Sequence, residues 1–265
     1  MNKRPHAVIL TGFGINCDME TEFAFRLAGA LTEKVHINDL ISSKKNLEEF
    51  VILAFPGGFS FGDDISSGKV LANKIKYNLS AKIEDFIKKG GLIIGICNGF
   101  QALVKMGLLP GFKGKYWEQT FTLTFNDSGR FEDRWVHLKV NHLAPCIFTK
   151  NIEFIDLPVR HGEGKFYTDM TGHMEELKKG EQIVMQYCNK NGNPSTGYPL
   201  NPNGSIEDIA GICDKSGRIF GLMPHPEAYL HPTNHPLWTR TDIKPEGMGL
   251  QIFHNAVNFA KKNLL

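Results

Sequence analysis

The sequence predicts an α/β protein: a mostly parallel sheet with helices on both faces, and antiparallel strands added in its second half. Three observations carry this. Short apolar runs alternate with segments of helical period through the first 110 or so residues, the pattern of strands joined by crossover helices. Several of those runs end in glycines, as in Thr11-Gly12-Phe13-Gly14, Pro56-Gly57-Gly58 and Gly95-Ile96-Cys97-Asn98-Gly99. Beyond Gly111, Tyr116–Phe125 and Trp135–Val140 alternate aromatic or β-branched residues with polar ones, as antiparallel strands do.

Taken in order, Ala7–Leu10 reads as the first strand. Asn16 or Asp18 caps a helix whose Phe23, Leu27 and Leu31 share one face. Lys34–Asn38 and Phe50–Phe55 read as the next strands, followed by two helical patterns, Gly68–Tyr77 and Ala81–Lys89. Leu92–Ile96 is a buried strand, and from Asn98 onward Phe100, Leu103, Val104 and Leu108 fall at helical spacing. Farther on, the polar, glycine-broken Val159–Phe166 follows an apolar segment, and Ile183–Tyr187 is a strand. Ile209–Cys213 and Ile219–Met223 make a hairpin around Asp214–Gly217. Asn189–Ser205 and His231–Glu246 read as long irregular loops, and Met248–Asn263 as a closing amphipathic helix. With no repeat, low-complexity tract or linker, residues 1–265 are expected to form one domain.

Composition excludes several classes. A formal net charge of +2 with dispersed basic residues gives no footprint for nucleic acid. No apolar run nears the roughly 20 residues that span a bilayer, and the apolar part of MNKRPHAVIL is too short for a signal peptide. Five cysteines, an odd number without a CxxC pair, argue against a disulfide framework and against a structural zinc site, and fit a reducing cytoplasm.

Chemistry concentrates at Cys97, where the strand Leu92–Ile96 turns sharply into a helix between Gly95 and Gly99. Such a turn lifts the side chain out of the sheet and sets the sulfur at a helix N-terminus, which favours an anion. A buried cysteine acting as a small apolar residue is the plain alternative, and the flanking glycines disfavour it. A thiol nucleophile needs a base, and His225 in Pro224-His225-Pro226-Glu227 follows a strand end as Cys97 does. Held extended, that segment points Glu227 to the same side as His225, where the carboxylate can orient the imidazole. The Asn98 amide and those of Gly58 and Phe59 are the candidate oxyanion donors. Cys17 is a rival nucleophile without flanking glycines or an obvious base.

Together these residues resemble the class I (triad) glutamine amidotransferases. The chain is similar in particular to the glutaminases of phosphoribosylformylglycinamidine synthase, nearly end to end. The marks are Gly14–Asp18, Phe55–Asp63, Gly95–Gln101, His161–Lys165, Tyr198–Ser205 and Pro224–Glu227. The resemblance implies a flavodoxin-like fold, with Cys97, His225 and Glu227 as nucleophile, base and orienter, and Gly58 and Asn98 as oxyanion donors. It also implies that Gln101 holds the amino-acid end of glutamine and that His161 and Gly162 line the pocket edge. No cofactor is expected in this chain. ATP and Mg are expected on a large synthase subunit as partner, and a small third subunit is left open. A glutaminase serving another synthase is the alternative within the enzyme class, and the His-Gly-Glu-Gly and Asn-Pro-Asn-Gly stretches argue against it. A non-catalytic synthase-binding scaffold is the alternative outside it, and an intact triad argues against that.

Overall fold

The computed structural model describes residues 3–240 and 245–265. Its main sheet has nine strands: β1 (His6–Thr11), β2 (Leu31–His36), β3 (Ile52–Phe55), β4 (Leu92–Ile96), β6 (Glu132–Val140), β7 (Phe154–His161), β9 (Ile183–Cys188), β10 (Ile209–Cys213) and β11 (Ile219–Leu222). A two-stranded sheet pairs β5 (Thr122–Thr124) with β8 (Lys165–Tyr167). The main sheet runs β2-β1-β3-β4-β11-β10-β9-β6-β7. From β2 to β11 all neighbours are parallel, and from β11 to β7 all are antiparallel. Apolarity follows position. The central β3 (ILAF) and β4 (LIIGI) are buried at every residue, as two-sided coverage demands, while the edge strand β2 (LTEKVH) carries exposed charge.

Among the described residues six α-helices accompany the strands: α1 (Asp18–Leu27), α2 (Ile37–Ile41), α3 (Lys69–Lys88), α4 (Asn98–Lys105), α5 (Thr171–Lys179) and α6 (Leu250–Asn263). The β1-α1-β2 crossover steps one way along the sheet and β3-α3-β4 steps the other. Right-handed crossovers in opposite directions put their helices on opposite faces and open a crevice between β1 and β3, at the carboxyl ends of the strands. The chain segments after β1, β3, β4 and β11 all emerge at those ends. Among the described residues no helix is long and apolar enough to cross a membrane.

Several elements differ from the sequence reading. The two patterns at Gly68–Tyr77 and Ala81–Lys89 are one helix, α3, with a continuous buried stripe of Leu71, Ala72, Ile75, Leu79, Ile83 and Phe86. Asn78 and Ser80, between the two patterns, have weak helix propensity, but the stripe outweighs it, and Asn78 Nδ2 donates to the Lys74 carbonyl within the helix. In α1 the buried residues are Thr21, Ala24 and Phe25, and Phe25 packs edge-on against Phe253 of α6. Phe23 and Leu27 are exposed instead, and Leu31 belongs to β2. Neither Asn16 nor Asp18 caps α1: Cys17 holds the N-cap position, with no side-chain cap bond. The second strand is Leu31–His36 rather than Lys34–Asn38, because α2 begins at Ile37. The loop expected at His231–Glu246 holds two short 3-10 turns, Pro232–Asn234 and Trp238–Arg240, and its residues 241–244 lie outside the described residues.

Candidate active site

Cys97 ends β4 and caps α4 with φ 50° and ψ −105°, a strained conformation for a residue with a Cβ. Its backbone is fixed from two sides: Cys97 N donates to Leu222 O of β11 at 2.8 Å, and Cys97 O accepts from Gln101 N at 3.0 Å. Gly99 is required by close approach, since a methyl there would sit 1.9 Å from Phe55 O. The turn is therefore held by these bonds and by the close approach of α4 to the end of β3.

His225 is fully buried two residues beyond Met223, and its backbone N–H donates to Pro158 O of β7 at 2.8 Å. Thus β7, last in the sheet order, returns to the site, and its Arg160 carbonyl lies 3.6 Å from Cys97 Sγ. His225 Nδ1 and Glu227 Oε1 are 2.6 Å apart, both buried. His225 Nε2 and Glu227 Oε2 have no hydrogen-bond partner. Burial opposes charge on this imidazole, but Glu227 and then Cys97 outweigh it, and the pKa of His225 is raised well above its ordinary value. All of this crowds one glycine. A methyl on Gly57 would lie 2.9 Å from His225 Cε1, 3.5 Å from Cys97 Cβ and 3.4 Å from Cys17 Sγ. Cys17, expected to lack a base, stands beside His225, and burial raises its pKa while the His225 contact opposes the rise.

The candidate oxyanion donors separate. The Phe59 N–H donates to Gly14 O at 2.7 Å, so Phe59 is withdrawn as a donor. The N–H groups of Gly58 and Asn98 make no hydrogen bond among the described residues, and Gly58 adopts φ 141°. The side chain of Asn98 couples the two: its Oδ1 accepts from Ser60 N, and its Nδ2 donates to Asp63 Oδ1 and to Gln101 Oε1. Gln101 Nε2 donates in turn to Glu163 O. With Oε1 accepting from Asn98 and Nε2 donating to Glu163 O, the 3% exposed Gln101 positions the His161–Gly164 segment.

That segment is braced by residues the sequence reading did not assign. Asn126 Nδ2 donates to His161 O, and its Oδ1 accepts from Gly164 N. Ser205 Oγ accepts from Phe166 N and donates to Asn203 Oδ1, so the Asn201–Ser205 end of the expected loop is buried framework. Glu163 Oε2 accepts from Ser67 N and lies 3.7 Å from the buried Lys105 Nζ. Gly162 itself is not crowded: a methyl there would reach only Phe131, at 3.9 Å. The brace was hidden because its polar partners are far apart in sequence.

A model described as a CobB/CobQ-like glutamine amidotransferase domain matches residues 4–260. The chain belongs to this family. Among this glutamine amidotransferase's relatives, the phosphoribosylformylglycinamidine synthase subunit PurQ of Dehalococcoides mccartyi is 52% identical over 255 residues, covering 96% of this chain and 97% of that protein. The subunit of the same name from Methanococcus maripaludis is 49% identical over 269 residues, covering 97% and 98%. A chain in the structure of PurLQS from Thermotoga maritima is 30% identical, with a TM-score of 0.70 and coverage of 97% of this chain and 99% of that one.

In this amidotransferase His161 is a second buried histidine. Its Nδ1 faces Asn126 Oδ1 at 3.1 Å and its Nε2 has no partner. Burial first, and the charge on His225 second, push its pKa down to about 4. The unfolded chain therefore binds more protons between pH 6.5 and about 4, so this contribution to stability is present above 6.5 and is lost as pH falls to about 4. At about 1.36 kcal/mol per pH unit the loss is on the order of 3 kcal/mol. Urea unfolding at pH 7 and pH 4.5 should show a smaller acid loss in His161→Gln than in the wild type, and identical losses would contradict this account.

Proposed function

We propose that this chain is the glutaminase subunit of a phosphoribosylformylglycinamidine synthase. The observation that carries the reading is a buried Cys97–His225–Glu227 constellation around Gly57, in a chain about half identical to named subunits of that enzyme over nearly its whole length. Cys97 Sγ attacks the glutamine carboxamide carbon, and the Gly58 and Asn98 amides take the developing oxyanion. The tetrahedral adduct expels ammonia, which leaves with a proton from His225, and water then hydrolyses the glutamyl thioester. Glu227 holds the imidazole through Nδ1 and stabilises its charge. His161 and Gly162 stand at the pocket edge. Ammonia passes to an ATP- and Mg-dependent synthase subunit, which converts formylglycinamide ribonucleotide to the amidine, and this chain itself uses no cofactor. The reading places the protein in the cytoplasm.

Surface chemistry supports a docked partner. Phe13, Phe59 and Phe131 are exposed, with Phe59 and Phe131 rings 6.3 Å apart and Phe13 and Phe61 rings 5.8 Å apart. Between Ser60 and Gly68 the backbone is strained, with positive φ at Phe61, Asp63 and the 86% exposed Ile65. Because Ser60 and Asp63 bond to Asn98, a partner pressing on this loop acts on the oxyanion donors. The purified chain should hydrolyse glutamine slowly, and the synthase subunit with nucleotide and substrate should raise the rate about tenfold or more, about 1.4 kcal/mol. Full activity of the isolated chain would refute partner gating.

A further inference from the structure

The Ser60–Gly68 loop is fastened to α4 at both ends. At its start Ser60 N donates to Asn98 Oδ1, and at its close a methyl on Gly68 would lie 2.9 Å from Ala102 N. Beside that close stands a buried lysine that takes no part in the thioester chemistry. Lys105, in the last turn of α4, is 4% exposed, a burial that lysine almost never shows unless paired. Its Nζ donates to Ser67 O at 2.6 Å and to Ser66 Oγ at 3.0 Å, and lies 3.7 Å from Glu163 Oε2. Burial pushes the Lys105 pKa down, and Glu163 and then Asp63 oppose the fall. Ser67 ties both carboxylates to this point, its N–H donating to Glu163 Oε2 and its Oγ to Asp63 Oδ2. Asp63 Oδ1 accepts from Asn98 Nδ2, and Glu163 O is joined to the same Asn98 amide through Gln101. The polar ring thus closes on Asn98, whose N–H is one oxyanion donor, and the loop it holds follows Gly58, whose N–H is the other. Within the loop, Phe61, Asp63 and Ile65 have positive φ, a strain that persists only where the surroundings over-determine it.

We propose that Lys105 is a positioning residue for the thioester chemistry: its ammonium clamps the Ser66–Ser67 end of the loop and the Glu163 segment onto α4, and so holds the Gly58 and Asn98 N–H groups where the oxyanion develops. The proposal deepens the glutaminase reading and rests on it. Lys105 touches no reacting atom and acts through Ser67, Glu163 and Asp63. Because the oxyanion exists only on the way through the tetrahedral adduct, donors that drift from it lower kcat and kcat/KM together and leave KM unchanged.

In the assembled synthase, Lys105→Met should lower kcat for glutamine hydrolysis about 10- to 100-fold at unchanged KM, while ammonia-dependent turnover is retained. Alkylation of Cys97 by iodoacetamide, followed by mass spectrometry of its peptide, passes through no oxyanion and should keep its wild-type rate. Lys105→Met leaves the Glu163 carboxylate buried without its cation, so the double variant Lys105→Met/Glu163→Gln, which removes both charges, secures a folded protein. Ser67 O still lacks its clamp there, and kcat should stay low. A wild-type kcat in either folded variant would overturn the proposal. So would a loss confined to KM, or a fall in kcat matched by an equal fall in Cys97 alkylation, which would make Lys105 a support of the elbow rather than of the oxyanion donors. A wild-type synthase complex that hydrolyses no glutamine would instead refute the glutaminase reading, and this proposal with it.

Discussion

Cys97→Ala should abolish glutamine-dependent synthesis, by about 10^4-fold or more, while the assembled synthase keeps its ammonia-dependent turnover. The geometry separates these outcomes. Cys97 Sγ touches the Arg160 carbonyl at 3.6 Å, whereas the elbow itself is held by main-chain bonds to Leu222 and Gln101 and by the fit of Gly99 against Phe55. Alanine tolerates the φ of 50° no worse than cysteine, so the fold and the docking face persist. Added ammonia bypasses the thioester. Turnover with glutamine and with ammonium salts, measured on the same complex, reads both effects at once. Loss of the ammonia-driven rate would make Cys97 structural. A glutamine-shaped electrophile that labelled Cys17 before Cys97 in the wild-type chain would move the nucleophile to Cys17.

What the sequence made legible is what local chemistry encodes. The elbow could be read because strand, glycines and helix are contiguous, and the His225–Glu227 pairing because two residues of extended chain bring both side chains to one side. The parallel half of the sheet followed from simple alternation. Contacts between distant segments could not be read that way. Phe59 looked like an oxyanion donor until β1's loop placed Gly14 O against its N–H. Gln101 sits one helical turn past the nucleophile, yet its amide is taken by Asn98 and by Glu163, which arrives from the far end of the sheet. Cys17 looked isolated because its neighbour is 208 residues away, the separation of His225 from Cys17 along the chain. The polar Asn201–Ser205 stretch read as loop because asparagine, proline and glycine favour turns, but its side chains satisfy each other and brace buried backbone.

Glu227→Gln should leave the chain folded and slow thioester formation by about 10^2- to 10^3-fold, less than His225→Ala. The carboxylate does two things at His225 Nδ1, 2.6 Å away: it fixes which nitrogen carries the proton and it stabilises the imidazolium. A glutamine amide fits the same buried space but can donate to Nδ1, which turns the proton on Nε2 towards the thiol in the neutral ring. It also removes the leading attraction that raises the pKa of His225 against full burial, leaving only the cysteines to oppose desolvation. The protonated imidazole that delivers the proton to ammonia is then lost at lower pH. In the wild type this acid disappears as pH rises through its raised pKa, which sets the alkaline limb of kcat/KM. In Glu227→Gln that limb should move to lower pH, a displacement that a merely structural carboxylate would not produce. Because Glu227 Oε2 has no partner, the substitution breaks no second bond, and thermal unfolding should stay near that of the wild type. A wild-type rate with an unmoved alkaline limb would remove Glu227 from the mechanism and leave Cys97 and His225 to act as a dyad.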